Sequence, residues 1–187
     1  FVLLDGTKDK LYFTAPAIVE LCDRHFGIGA DGVVILKNWD DADKILSIEL
    51  YNSDGSTASM CANGTRCAAH FALSKKIVPA KLTSFKLKTK SGLYLCHIKS
   101  DSVILEMPSL FMKKMQVQLF DLPFDYEKSF FANTGVPHSV FLIKSVADIP
   151  IAQWGAQVRN DPAFSEGSNV NFVTAYDLSK NIFQVRT

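Results

Sequence analysis

Residues 45–75 open with the stretch Ile45-Leu46-Ser47-Ile48-Glu49-Leu50-Tyr51-Asn52, whose apolar residues recur at every second position. A period of two predicts a strand in which Leu46, Ile48, Leu50 and Asn52 share one face. Ser53-Asp54-Gly55-Ser56 has the composition of a turn. The helix predicted from about Cys61 to Lys75 carries small and apolar residues that suit close packing against a sheet, namely Ala68, Ala69, Phe71 and Ala72.

Outside this segment, predicted strands and helices alternate irregularly. Thr14 and Pro16 form a favourable helix start, with Thr as the cap and Pro in the first turn. The predicted helices cover residues 16–24 and about 151–158, and the predicted strands cover residues 1–5, 33–36, several short segments within 85–105, and segments near 130, 139–143 and 170–175. Pro108 marks a domain boundary. We therefore expect an α+β protein of two lobes, with residues 1–107 in the first and residues 108–187 in the second.

Both ends of the sequence lie in predicted strands. The chain opens within the apolar strand Phe1–Leu4 and closes at Gln184-Val185-Arg186-Thr187. A strand cut in the middle leaves unpaired ladder groups and an uncovered apolar face. We therefore expect that residues are missing at both ends and that the second lobe is incomplete.

Composition excludes several classes of function. The 187 residues are 48% apolar and carry a formal net charge of +1, without a basic or acidic block, so neither nucleic acid nor a membrane surface is an expected partner. No apolar run approaches the roughly 18 residues of a membrane span. The first residues, Phe1–Gly6, lack the basic segment and cleavage site of a signal peptide. With this context, the four cysteines are expected to be reduced thiols in a cytoplasmic protein.

The predicted start of the second helix places Cys61 where unpaired backbone N–H groups carry a partial positive charge. This position favours the thiolate, which can act as a base. The N–H groups of Ala62, Asn63 and Gly64 could hold an anion such as a carboxylate. A thiolate beside a bound carboxylate suits proton abstraction from the α-carbon of an amino or hydroxy acid. The alternative is that Cys61 serves only as a small apolar residue at a helix end.

Two further polar residues stand at the mouths of predicted strands. His138 follows the turn Gly135-Val136-Pro137 and could orient or deprotonate a thiol; the alternative is a structural histidine. Asn169 precedes the strand near 170–175, and its amide could bind a carboxylate. Asparagine is more common there as a turn residue in the left-handed conformation, so this alternative also stays open.

Other motifs favour structural roles. Cys67 and Cys96 are expected in the core, because free cysteines are usually buried. Cys22 and His25 have a C-x-x-H spacing, but no second pair at zinc-finger spacing accompanies them, and we expect no metal. The glycine-rich loop at Gly27–Gly32 follows a helix and does not spell a dinucleotide-binding motif.

Taken together, the sequence resembles the diaminopimelate epimerase family. The most specific resemblance is the pair Asn52-Ser53-Asp54-Gly55 and Met60-Cys61-Ala62-Asn63-Gly64-Thr65-Arg66-Cys67. The other matching segments, in the same order as in the family, are Phe1–Gly6, Cys22–Gly32, Gly135–His138 and Asn169–Phe172.

The resemblance implies two similar lobes, each a curled, mostly antiparallel sheet around a central helix, with the active site in the cleft between them. It implies a two-base epimerisation of LL-diaminopimelate to meso-diaminopimelate with neither cofactor nor metal. Cys61 is by resemblance one of two catalytic cysteines, and His138 assists it. Ala62 and Asn63 hold the reacting carboxylate through backbone N–H groups. Asn52 and Asn169 bind the distal end of this small amino-acid substrate, and a homodimer is left open.

The sequence departs from the family in several places. The opening Gly-Asn-Asp is absent, Ala62 replaces a glycine, and Val136 replaces a substrate-binding asparagine. In the family, the second catalytic cysteine lies beyond the position of Thr187. We therefore expect that the 187-residue piece alone does not epimerise. Val136 and Ala62 leave room for a racemase of glutamate or proline on the same fold, and a non-catalytic ligand-binding or redox thiol protein is a rival from another class.

Overall fold

The computed structural model describes residues 1–100, 102–107, 119, 122–133, 137–165, 167–180 and 182–187. Its helices are α1 (Ala15–Cys22), α2 (Ala62–Ser74) and α3 (Ile151–Arg159), with one 3₁₀ turn at Leu178–Lys180. Its strands are β1 (Val2–Asp5), β2 (Gly32–Asp40), β3 (Ile45–Asn52), β4 (Thr57–Ala58), β5 (Ser84–Thr89), β6 (Gly92–Lys99), β7 (Ser102–Leu105), β8 (Lys128–Asn133), β9 (Pro137–Leu142), β10 (Asn169–Asp177) and β11 (Ile182–Arg186).

The chain divides into two compact units, Phe1–Pro108 and Ser109–Thr187, each with its own sheet. The first sheet has the strand order β1-β2-β3-β5-β6-β7, with β4 also paired to β3, and the second has the order β11-β10-β9-β8. Most neighbouring strands are antiparallel, and the parallel pairs are β1 with β2, β3 with β5, and β9 with β10. This arrangement confirms the predicted α+β class. Among the described residues, no helix combines the length and apolar character needed to cross a membrane.

In the first unit the sheet curls around α2. The strands β1 and β7 lie at opposite edges of the sheet, yet α2 contacts both of them as well as β2 and β3. A flat sheet could not bring both edges to one helix. The helix approaches closely because the residues on its buried face are small: Gly64, Thr65, Ala68, Ala69 and Ala72.

The second strand is buried on both faces, which explains its unbroken apolar run. Val34 and Leu36 belong to the core beneath α2, whereas Val33 and Ile35 pack with Ile18 of α1 on the other face. All four strand residues are fully buried. The strand extends beyond the predicted 33–36 to Asp40, because β3 continues to pair with it past a bulge between Leu36 and Asn38.

The second unit has an aromatic core. Phe141 of β9 and Phe172 of β10 are register partners, and their rings stack with centroids 6.0 Å apart. Phe124 contacts both rings edge-on and packs 4.9 Å from the ring of Trp154 on α3. These aromatic contacts attach α3 to the sheet and fix the relative position of β9 and β10, the two strands that carry His138 and Asn169.

Local sequence signals placed most elements well. The strand predicted at Ile45–Asn52 is confirmed residue for residue. The Thr14 hydroxyl caps α1 by accepting a hydrogen bond from the Ala17 N–H at 3.4 Å. The predicted helix near 151–158 is α3, and the closing residues 184–186 lie in β11 as predicted.

The small residues of α2 can be tested by enlarging one of them. Ala69→Leu is expected to lower the free energy of unfolding by about 1–3 kcal/mol, because additional atoms in a filled core displace their neighbours. Urea unfolding followed by circular dichroism measures the effect. His70→Leu inserts the same side chain on the exposed face of the same helix and is expected to change stability by less than about 0.5 kcal/mol. Equal destabilisation by the two variants would contradict this account of the packing.

Candidate active site

Cys61 is the N-cap residue of α2. Its backbone is extended (φ −144°, ψ 109°), its carbonyl accepts the first helical hydrogen bond from the Thr65 N–H at 2.9 Å, and its Sγ accepts from the Gly64 N–H at 3.4 Å. The thiol is partly exposed. The sulfur therefore lies at the positive end of the helix dipole, where negative charge is stabilised.

The predicted anion cradle has two open donors rather than three. The Gly64 N–H is used by the sulfur of Cys61. The N–H groups of Ala62 and Asn63 have no hydrogen-bond partner within the part of the chain that the structure describes, and both residues are exposed. Two adjacent N–H groups at a helix N-terminus can bind a carboxylate. The Asn63 side chain is oriented by Arg66, which donates to its Oδ1 at 3.3 Å.

Gly64 allows this helix end to lie against the sheet. A Cβ at this position would be 3.1 Å from Leu50 Cδ2 and 3.3 Å from Val34 Cγ2, which is tighter than ordinary van der Waals contact. Thr65 is fully buried, and its hydroxyl contacts Met60 Sδ at 3.8 Å. The helix end that begins after Cys61 is thus anchored by a buried threonine and by the close approach of Gly64 to the sheet.

Asn52 ends β3 and closes the turn that leads back to Cys61. Its N–H donates to the Ser56 carbonyl at 2.8 Å, and its Nδ2 donates to Ser56 Oγ at 2.9 Å. Hydrogen bonds from the side chain and the N–H of Ser56 lower the pKa of Asp54, which keeps that carboxylate ionised within the turn. The Asn52 amide is therefore oriented by the turn while remaining exposed.

In the second unit, the structure brings His138 and Asn169 together. They are register partners on the parallel strands β9 and β10, and Asn169 Nδ2 donates to the Pro137 carbonyl at 3.3 Å. A buried hydrogen bond of 2.6 Å between Ser139 and Ser168 hydroxyls joins the same two segments. Val136 lies outside the described residues.

His138 borders a cavity of about 140 Å³ whose wall includes Phe131, Pro137 and Phe164. Burial lowers the pKa of His138 below its usual value, so the neutral imidazole is favoured. Asn171 Nδ2 lies 3.4 Å from His138 Nδ1 and also donates to the Ser139 carbonyl at 3.2 Å. The same Nδ2 donates to the Asn169 carbonyl at 3.3 Å, so two backbone oxygens and the His138 ring share its two N–H groups.

Asn171, which contacts the His138 ring, is a site residue that the sequence patterns did not indicate. It stands two residues beyond Asn169, so strand alternation places both side chains on one face. This alternation could have predicted that the Asn171 side chain lies beside that of Asn169.

One prediction about the cysteines is wrong. Cys67 is exposed, because it lies about 130° around α2 from the centre of the buried stripe at 100° per residue. Cys96 is buried as predicted, and desolvation raises the pKa of its thiol to about 11. Cys22 is also buried, and burial raises the pKa of this thiol. Across the residues that the structure describes, no group of three or more His, Cys, Asp or Glu side chains could hold a metal ion.

Comparison with known proteins identifies relatives of the whole chain. A sequence model of the family described as "Diaminopimelate epimerase" matches residues 1–110. The diaminopimelate epimerase of Flavobacterium psychrophilum is 36% identical over 190 residues, which cover 100% of this chain and 68% of that protein. The diaminopimelate epimerase of Aquifex aeolicus is 32% identical over 196 residues, with the same coverage of 100% and 68%.

Solved structures share the fold at low sequence identity. A probable proline racemase from Agrobacterium radiobacter, crystallised with carbonate, superposes with a TM-score of 0.57 at 16% identity, over 89% of this chain and 56% of that one. A Bacillus anthracis phenazine biosynthesis protein of the PhzF family superposes with a TM-score of 0.53 at 11% identity, over 85% of this chain and 57% of that one. The chain thus spans a little over half the length of these structures.

The capping role of Cys61 predicts an order of stability among its variants. Cys61→Ser is expected to be more stable than Cys61→Ala by about 1 kcal/mol, because a hydroxyl caps a helix and a methyl group does not. Thermal or urea unfolding measures the difference. At Cys67, inside the same helix, the order should reverse, with alanine more stable than serine by a few tenths of a kcal/mol, about the difference in helix propensity. The same order at both positions would contradict the capping role.

The lowered pKa of His138 predicts a dependence of stability on pH. As pH falls below about 6.5, the unfolded chain binds the proton first, so His138 makes the free energy of unfolding decrease down to the lower pKa of the folded state. Nuclear magnetic resonance should show a midpoint below 6.5 for the His138 ring, and His138→Gln should unfold with less loss of stability between pH 7.5 and pH 5.5. A midpoint at or above about 6.5 would contradict the effect of burial.

Proposed function

Because the chain belongs to the diaminopimelate epimerase family, we propose that it interconverts LL-diaminopimelate and meso-diaminopimelate by moving the α-proton. The observation that carries the proposal is the partly exposed thiol of Cys61 at the N-cap of α2, beside the open N–H groups of Ala62 and Asn63. The α-carbon of an amino acid carries both the proton and the carboxylate. At this helix end, the backbone N–H groups can therefore bind the carboxylate while the Cys61 sulfur lies close to the α-proton.

In the proposed reaction the substrate carboxylate accepts hydrogen bonds from the backbone N–H groups of Ala62 and Asn63. When the α-proton leaves, its electron pair is delocalised onto this carboxylate. The increase in negative charge occurs at the positive end of α2, so the helix stabilises the carbanionic state more than the substrate. These donors are part of the backbone and need no reorientation during the reaction.

Cys61 is the proposed base. Its thiolate takes the α-proton, so that the C–H bond breaks and an S–H bond forms. Inversion then requires an acid that donates a proton to the opposite face of the carbon. None of the other cysteines of this chain suits that role: Cys22 and Cys96 are buried, and Cys67 lies away from Cys61 on the exposed face of α2. We therefore assign Cys61 one of the two acid/base roles. The proposed reaction uses proton transfers alone and needs no cofactor or metal.

His138 is proposed to assist Cys61, and the proposed ligands of the distal amino-acid end are Asn52 and Asn169. A neutral imidazole can exchange a proton with a thiol, and the lowered pKa of His138 favours this neutral form. The contact from Asn171 supports a fixed ring orientation. The exposed amides of Asn52 and Asn169 can each offer both a donor and an acceptor to a substrate group.

The proposed location is the cytoplasm. All four cysteines are free thiols in the structure, which suits a reducing compartment. The named relatives are bacterial enzymes whose substrate is a small amino acid by their names. A homodimer is an additional part of the proposal, which sedimentation of the purified protein would test directly.

The reaction can be tested by isotope exchange. In D₂O with a reductant, the longest natural form of the polypeptide is expected to incorporate deuterium at the α-carbon of LL-diaminopimelate. Cys61→Ala should reduce the rate of exchange by about 10²- to 10⁴-fold, which is the usual contribution of a positioned acid or base. Cys67→Ala removes an exposed thiol from the same helix and is the matched control, with exchange close to that of the unaltered protein.

Parallel substrates separate the proposal from its rivals. Exchange with diaminopimelate but not with glutamate or proline supports the epimerase, whereas preferential exchange with glutamate or proline would identify a racemase on the same fold. If alkylation of Cys61 abolished ligand binding and no amino acid underwent exchange, the protein would be a binding or thiol-sensing protein and the proposal would be wrong.

A further inference from the structure

The first unit has a crevice of about 430 Å³ at the place where β3 changes its neighbouring strand. Along one edge, β3 pairs with β5 at Ile45–Ser47 and with β4 at Leu50–Tyr51. Ile48 and Glu49 lie between these two ladders and line the crevice. Its volume falls within the range of about 300–1,000 Å³ that is usual for small-molecule sites. The candidate catalytic Cys61 does not line it.

The charged groups around this crevice are mostly basic. Its lining includes Lys37, Lys88 and Lys90 but only one carboxylate, Glu49. Lys37 Nζ lies 3.3 Å from Glu49 Oε2 and donates to the Leu11 carbonyl at 3.1 Å, so these two opposite charges compensate each other. Two positive charges therefore remain uncompensated at the crevice.

These two charges are adjacent in space. Lys88 is on β5 and Lys90 lies in the turn that joins β5 to β6, so the two backbones are at most about 7 Å apart, and both residues line the crevice. Both residues are exposed. Within the described ranges of the chain, neither forms an ion pair or a side-chain hydrogen bond. Their flexible stems allow both ammonium groups to turn toward one ligand.

The crevice also offers apolar contact and a hydroxyl. Leu50, Tyr51 and Ala58 line it, and Tyr51 Oη donates to Glu49 Oε2 at 3.1 Å. Burial, and then the nearby Glu49 carboxylate, raise the pKa of Tyr51, so the phenol stays protonated and does not repel an anion. A ligand here would therefore meet a neutral phenol as well as two ammonium groups.

We propose that this crevice binds a small organic molecule with at least two negative charges, carried by phosphate or carboxylate groups, through Lys88 and Lys90. The site is separate from the proposed epimerase reaction, since none of the residues assigned to that reaction lines it. Its geometry is that of a ligand site at a break between neighbouring strands, where side chains and strand ends converge on one space.

Calorimetric titration of the purified protein with pyrophosphate and with citrate tests the proposal. Lys88→Gln combined with Lys90→Gln is expected to weaken binding about five- to thirtyfold, the effect of two partly exposed ion pairs. The matched control, Lys76→Gln combined with Lys99→Gln, removes two exposed lysines of the same unit that do not line the crevice, and screening should limit its effect to about twofold.

A third variant should act in the opposite direction. Glu49→Gln removes the carboxylate that compensates Lys37, so it is expected to tighten anion binding about two- to fivefold, the effect of one exposed charge. Binding of pyrophosphate alone identifies a phosphate site, and binding of citrate alone identifies a carboxylate site. The proposal is overturned if neither anion binds, if both double variants lose affinity equally, or if Glu49→Gln weakens binding.

Discussion

The close approach of α2 to its sheet is the constraint on which the first unit depends. A helix with large side chains on its buried face would lie farther from the strands and could not contact both edge strands, β1 and β7. The small side chains of Ala68, Ala69 and Ala72 let the helix approach the strands, and Gly64 does the same at the helix end. The curl of the sheet and the position of the helix N-terminus therefore have a common cause. This packing positions Cys61 together with the hydrogen bonds that its carbonyl and its sulfur accept from Thr65 and Gly64.

A cysteine at this position serves two requirements that usually select different residues. Stability at an N-cap favours serine, threonine, aspartate or asparagine, whose oxygens accept strong hydrogen bonds. Base chemistry at a carbon acid favours a cysteine, whose sulfur accepts from the Gly64 N–H at 3.4 Å and is a weaker acceptor than oxygen. The proposed activity therefore costs some helix stability relative to an oxygen cap.

Sequence patterns predicted the elements better than the contacts between them. The alternation in residues 45–52 predicted both ends of β3 correctly, and Thr14 predicted the start of α1. Both signals are local in the sequence. The exposure of Cys67 follows from which helical face meets the sheet, and a general preference of cysteine for burial predicted it wrongly. Asn171 acquires its role from His138 on a neighbouring strand, 33 residues earlier in the chain. The use of the Gly64 N–H by the sulfur also depends on the folded geometry. Pairings of this kind are set by tertiary structure and are not visible in local patterns.

The parallel pairing of β3 with β5 has a consequence for synthesis on the ribosome. Ile45 pairs with Lys86, 41 positions later, so the edge of β3 that has left the ribosome stays unpaired until Lys86 has also emerged. At about 5–20 residues per second, that interval is roughly 2–8 s. During this time the nascent chain exposes a thiol, an alanine-rich helix and an unpaired strand edge together. Such an unpaired edge can take a wrong strand as its neighbour, and the emergence of β5 covers it.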